Sequence, residues 1–305
     1  MSIIETKRRL GRIGIWSLEL RFGKASETVE AAAELDELGF GAIWIPGGTG
    51  GDILGDVDRL LSATRQIMIG TGILNIWKHL PEEVSTWWLK QPHDRQARLL
   101  LGLGVSHGPL IGDTYRNPLA AMRDYLKQLS ARGVPSDAVC LAALGPKMLE
   151  LAREHTAGAH PYLVPPEHSA LARKVLGPDL LLAPEQGVVL ESDPARVREI
   201  CRQTIEQYRG FPNYVNNWRR LGFIQEDIAN ATDGLIGALF ASGEPERIAE
   251  RVNAHRAAGA DHVCLQVITG APRPDIGAAR AAWRRLAATL LVQPTPIASM
   301  RDTRI

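Results

Sequence analysis

Short apolar runs alternate with helical patterns along nearly the whole chain, and this alternation constrains the fold more than any other feature. Arg12–Ser17 (RIGIWS), Ala42–Pro46 (AIWIP), Ile67–Ile76 (IMIGTGILNI) and Arg98–Val105 (RLLLGLGV) read as the first four strands. Val139–Leu144 (VCLAAL), Ala159–Val164 (AHPYLV), Leu180–Ala183 (LLLA) and His262–Ile268 (HVCLQVI) read as the other four. The segments between them carry helix signals. Ala31, Leu35 and Leu38 share one face, with Ser26 as a cap and Gly39 as the terminator. Asp52 opens a second helix through Leu60 and Leu61, and Pro81-Glu82-Glu83 starts a third with proline first and acids in the first turn. Such alternation implies parallel pairing with right-handed crossovers. Eight units close naturally into a single (β/α)8 TIM barrel; a doubly wound open sheet is the competing arrangement. After strand seven, Arg209–Asp233 reads as an irregular insertion. Residues 1–10 read as an N-terminal extension, 11–292 as the barrel and 293–305 as a C-terminal tail.

Composition narrows the classes of function. The 305 residues are 45% hydrophobic and 23% charged, an ordinary globular balance. The net charge of +1 gives no overall footprint for nucleic acid or an acidic membrane. No apolar stretch approaches the ~18 residues of a membrane span, and Met1–Leu10 is too charged for a secretory signal. The expectation is a cytoplasmic protein acting on a small molecule. Cys140, Cys201 and Cys264 lie far apart, without the spacing of a zinc site or a disulfide framework. No metal is expected. Cys140 and Cys264 fall in apolar runs and read as buried small hydrophobes.

A barrel of this kind carries its chemistry at the C-terminal ends of the strands. Trp16, Trp77 and Tyr162 stand there as candidate substrate contacts. Gly72, Ile73, Asn75 and Ser106 stand there as candidate cofactor contacts. His107 is the candidate acid or base, because imidazole titrates near neutral pH. Gly102-Leu103-Gly104 follows a strand but lacks the third glycine of a dinucleotide loop; it reads as a barrel strand whose glycines leave room for a ligand. Gly70 and Gly72 mark either a bulge with a close ligand approach or a tight bend. Gly145-Pro146-Lys147 turns a strand into a helix whose free N–H groups suit a phosphate. Phe211, Tyr214, Trp218 and Phe223, mixed with Arg219 and Arg220, suggest a lid or a subunit contact. His79 and His160 are weaker rivals of His107 for the acid or base role and read first as structural, and His93, His155, His168 and His255, in helical stretches, are expected to face solvent.

Several segments in order resemble the bacterial luciferase-like monooxygenase superfamily, and within it the F420-dependent oxidoreductases common in actinobacteria. They are Gly11–Trp16 (GRIGIW), Leu38–Pro46 (LGFGAIWIP), Ile69–Leu74 (IGTGIL), Leu100–His107 (LLGLGVSH), Ala142–Leu151 (AALGPKMLEL) and Gly243–Val267. The resemblance implies hydride chemistry on coenzyme F420, with FMN as the alternative cofactor and a flavin monooxygenase as the alternative enzyme. It also implies a homodimer, a cis peptide at Gly72-Ile73 backing the cofactor ring, and cofactor phosphate at Gly145, Pro146 and Lys147. His107 stands where some relatives carry a glutamate near the ring. Gly47-Gly48 stands where many relatives carry an acidic residue or a histidine, which removes a side chain near the substrate. That departure keeps open a third reading, a barrel that binds cofactor without turning over.

Overall fold

The computed structural model describes residues 2–48 and 50–291; the expected tail at 293–305 lies outside them. Its strands are β1 (Ile13–Trp16), β2 (Ala42–Ile45), β3 (Met68–Thr71), β4 (Leu74–Asn75), β5 (Leu99–Gly104), β6 (Val139–Leu141), β7 (Gly158–Ala159), β8 (Leu181–Leu182), β9 (Glu185–Val189), β10 (Phe240–Ser242) and β11 (Val263–Val267). All pair in parallel, in the order β10-β9-β11-β1-β2-β3-β5-β6-β7-β8, with β4 also on β5. The sheet is curled and consistent with a TIM-like barrel. The third expected strand is split in two, because the chain bulges at a cis peptide between Gly72 and Ile73.

Side-chain alternation sorts the strands into two faces. Ile13, Ile15, Ile43, Ile45, Ile69, Leu99, Leu101, Val139 and Val263 pack outward against the helices. Trp16, Trp44, Met68, Leu100, Cys140, Leu181 and Cys264 fill the inside, closed at the strand starts by Leu10 of the helix Ile3–Leu10. Trp44 is fully buried, lies 4.3 Å from the His160 ring in a stack, and donates its indole N–H to His262 at 3.2 Å. The strand glycines make room for these rings. A Cβ on Gly70 would lie 2.6 Å from the Trp44 ring, and one on Gly14 would lie 2.6 Å from His262. Gly102 faces backbone too, since its Cβ would lie 1.9 Å from the Thr71 carbonyl. Gly102 therefore spares a neighbouring strand, and is not there for a ligand.

Helix boundaries follow their chemistry. Asp52 accepts from the Gly55 N–H to start Ile53–Ala63, and Gly39, at φ 89°, ends Ala25–Leu38. Ser26 does not cap that helix; it lies inside it, and Lys24 precedes it without a side-chain bond. The stretch expected to be an irregular insertion is largely helical: Pro212–Arg220, Gln225–Asn230 and Asp233–Leu239. Tyr214, Trp218, Ile228, Leu235 and Leu239 form a second apolar cluster there, which gives these short helices a core of their own. Strand seven also extends further than expected, since only two residues separate β8 from β9. Among the described residues no helix is long and apolar enough to cross a membrane.

Candidate active site

A cavity of about 850 Å³ opens where β1 to β7 end. Trp16, Gly72, Ile73, Asn75, Ser106, His107, Gly145, Pro146, Lys147 and Tyr162 all line it. Trp77 does not. Its indole N–H is tied to the Val105 carbonyl at 2.6 Å and its ring packs on Tyr115, so it braces the wall from outside.

The bulge at Gly72-Ile73 forms part of the floor. Trp16 donates its indole N–H to the Gly72 carbonyl at 3.0 Å, and the Gly47 N–H donates to the Ile73 carbonyl at 3.0 Å. A Cβ on Gly47 would lie 2.3 Å from that same carbonyl. The glycine after β2 is thus required by the bulge beside it, which gives the missing side chain a backbone explanation. Arg21 holds this rim: it pairs with Asp56 and donates to the Pro46 carbonyl at 3.2 Å and the Gly50 carbonyl at 2.8 Å. Asn75 turns its amide oxygen back to the Trp77 N–H at 3.0 Å.

His107 leaves the end of β5 and enters the mouth after Ser106, whose φ is 55°. Its ring stacks on Phe211 at 4.1 Å, and Nδ1 lies 3.1 Å from Asn213 Oδ1. Burial lowers the His107 pKa below the ordinary value, opposed by the Asn213 hydrogen bond, which favours the uncharged ring less than burial alone would. An amide oxygen can only accept, which assigns the proton to Nδ1 and leaves Nε2 with a lone pair.

Beyond Tyr162 lies a layer of phenols. Tyr208 donates to the Tyr162 hydroxyl at 3.1 Å and Tyr162 donates to Gln266 at 2.7 Å. Burial raises all three of Tyr162, Tyr208 and Tyr214, Tyr208 to about 12. Below them Glu185 accepts from the Leu163 N–H at 2.8 Å, and burial pushes its carboxyl up to about 8.

The opposite wall is cationic. Gly145 precedes the helix Pro146–His155 without a side-chain cap, and Lys147 sits in its first turn. Arg220 lies alongside: a Cβ on Gly145 would be 3.6 Å from its guanidinium. Lys78, Lys147 and Arg220 line the cavity, and no carboxylate does among the described residues. The rim is apolar, from Leu18, Phe22 and Leu110. No group of described residues has the makings of a metal site.

Tyr208, Asn213 and Arg220 escape the strand-end rule because they come from the helical segment after β9. Their mixed aromatic and basic composition is the one signal in the sequence that marks that segment. His160, expected to be structural, lines the floor; Nδ1 lies 2.7 Å from the Ala183 carbonyl and burial drives its pKa to about 4. His168 and His255 do not face solvent: they are 2% and 0% exposed. His255 bridges Ser169 at 2.8 Å and Gln186 at 3.0 Å.

A parallel, barrel-like sheet with a ligand-sized cationic mouth at its strand ends defines a class of small-molecule and cofactor-binding α/β proteins. Residues 11–262 match the luciferase-like monooxygenase family, and the chain belongs to it. A Mycobacterium tuberculosis protein provisionally named a coenzyme F420-dependent oxidoreductase is 27% identical over 175 residues. That match covers 54% of this chain and 48% of the relative, so it spans about half of the relative's length. An F420-dependent secondary alcohol dehydrogenase, solved with an F420-acetone adduct, superposes at a TM-score of 0.68 and 14% identity over 92% of this chain and 99% of its own. The F420-dependent tetrahydromethanopterin reductase of Methanopyrus kandleri gives 0.62 and 15% over 88% and 96%. The oxygenating constituent of 3,6-diketocamphane monooxygenase from Pseudomonas putida, solved with FMN, gives 0.61 and 14% over 91% and 96%. At these identities the structural likeness is one of fold.

Proposed function

We propose that this chain is an F420-dependent oxidoreductase that moves a hydride between the deazaflavin and a small organic substrate. The observation that carries this reading is the charge of the mouth. A cavity of about 850 Å³ has Lys147 and Arg220 in its lining and no carboxylate there among the described residues, as an anionic, phosphorylated cofactor requires. Its volume falls within the roughly 300–1,000 Å³ of small-molecule clefts. The relative from M. tuberculosis supports F420 as that cofactor.

The residues fit such a group. The uncapped start of Pro146–His155, Lys147 and Arg220 would hold the phosphate through N–H groups and positive charge. Ile73 and Asn75 would bear on the ring, and Ser106 would border it. When bound, the cofactor supplies the carbon that gives or takes the hydride. Trp16 and Tyr162, 5.4 Å apart, would then face the substrate. Leu18, Phe22 and Leu110 would keep water from the reacting atoms. His107 would take the substrate hydroxyl proton at Nε2 on oxidation and return it on reduction.

A fluorescence titration of the purified protein against F420 and against FMN tests this. Tighter binding of F420 is expected. Arg220→Ala should weaken it about ten- to a hundredfold, the worth of a charge-assisted hydrogen bond. A preference for FMN would move the reading to a flavin monooxygenase, and binding of neither would end it.

A further inference from the structure

In a parallel sheet every strand starts at the same end, so residues just before the strands gather opposite the mouth. Arginines hold those places here. Arg12 precedes β1, Arg65 precedes β3, Arg95 and Arg98 precede β5, and Arg8 and Arg9 end the helix before β1. β1, β2, β3 and β5 are consecutive in the sheet, so these side chains share one region.

Two adjoining hollows lie there, of about 450 and 510 Å³, and both are lined by Arg9 and Arg65. The first adds Arg95 and Arg98, the second Arg8 and Arg12. Against six arginines the lining holds only the carboxylates Asp94 and Asp36. Asp36 is already engaged: its oxygens accept from the N–H groups of Arg65, Gln66 and Ile67 at 2.6–3.3 Å. Glu5 pairs with Arg8 and Arg9. Among the described residues no carboxylate lies within ion-pair distance of Arg12, Arg65, Arg95 or Arg98.

Arg98 is the anchor. It is 7% exposed, and its guanidinium donates to Thr64 Oγ1 at 2.9 Å and to the Leu61 carbonyl at 2.9 Å, all uncharged partners. Arg95 is steadied by Ser62 Oγ at 2.9 Å. A partly buried guanidinium with neutral partners, ringed by further guanidinium groups, costs free energy that an anion offsets. Planar forks held in place match the oxygen spacing of a phosphate better than that of a single monodentate acceptor. The hollow lined by Arg95 and Arg98 is largely polar, with Leu61 and Ala97 its apolar members, so the charge rather than an apolar body would bring the ligand in.

We propose that this strand-start face is a second binding site, separate from the mouth, that takes a phosphate or diphosphate group, either free or as the ester of a small molecule. The site makes no call on the redox chemistry, and it stands whether or not F420 is the cofactor.

Calorimetric titration of the full chain at low salt, with inorganic phosphate, pyrophosphate and AMP as probes, tests it. Three proteins are compared: the parent, Arg65→Ala/Arg95→Ala, and Arg220→Ala. Arg65 is exposed and Arg95 half-buried, so the double variant keeps its fold, which circular dichroism checks; Arg98 is left in place because it ties β5 to the preceding segments. Saturable binding is expected in the parent and in Arg220→Ala, weakened at least about tenfold in the double variant. Tighter binding of AMP than of phosphate assigns the site to an ester, and the reverse assigns it to the free ion. Three outcomes overturn the proposal: no saturation up to about 10 mM of any probe, equal affinity in the parent and the double variant, or loss confined to Arg220→Ala.

Discussion

Replacing His107 with alanine is expected to lower turnover by about 10²–10⁴-fold, the usual worth of a positioned acid or base, while F420 affinity changes little. His107 is held by Asn213 and stacked on Phe211, and burial favours its uncharged form, whose Nε2 carries the lone pair when Nδ1–H donates to Asn213. The sign of the pH dependence follows. A depressed pKa means that the base form persists to a pH below the ordinary histidine value, so oxidation should hold its rate below that value before falling. Asn213→Ala removes the bond that opposes the shift and should move that acid limb lower still. Steady-state rates from about pH 5 to 8, with F420 binding measured separately, check both. Full turnover by His107→Ala would end its role as acid or base; lost binding with normal turnover at saturation would make it a cofactor contact.

Stability should peak at about pH 7 and fall on both sides. His160, His168 and His262 are driven by burial to about 4, and His255 to about 3. Unfolding frees these rings to take protons below about 6.5, where the folded state does not. Stability is therefore fully present above that value and is lost as the pH falls through 6.5 toward 4. Glu185 acts in the opposite direction. Its folded pKa of about 8 lies above the ordinary carboxylate value of 4.5, so the folded state holds the proton and loses stability as pH rises from 4.5 to 8. Between 4.5 and 6.5 the four histidines outweigh Glu185; above about 7 their unfolded rings are mostly deprotonated and the Glu185 contribution dominates. Urea midpoints near pH 4.5, 6.5 and 8.5 should follow this order, and Glu185→Gln should flatten the alkaline limb. A midpoint that does not change across the range would refute the account.

The fold was legible wherever burial and hydrophobicity coincide. β1, β2, β3 and β5 are apolar runs bounded by helix ends such as Gly39 and the cap Asp52. β9 was hidden because it reads Glu-Gln-Gly-Val-Val; the two polar residues are buried, one on a backbone N–H and the other on His255. The helices at 212–239 were hidden because their stabilising contacts are with each other and with the helix Pro194–Tyr208, beyond the range of a local pattern. The burial of His255 had a signal: it follows Ile248 and Val252 on one helical stripe, and all three are buried. At the mouth, the strand ends could be read from the parallel alternation, and all the proposed residues but Trp77 reach the cavity. Asn213 and Arg220 could not be placed, because their position depends on how the segment after β9 folds back.

The three cysteines are all buried. Cys140 and Cys264 point into the barrel from β6 and β11, and Cys201 sits on the buried face of the helix Pro194–Tyr208. Burial raises each thiol, Cys201 to about 12, so little thiolate forms in the folded chain. Alkylating reagents can then reach them only through opening events. The molecule has built-in reporters at two depths: modification of Cys201 ahead of the other two would time the loosening of the helical shell, and modification of Cys140 and Cys264 would time the parting of the strands.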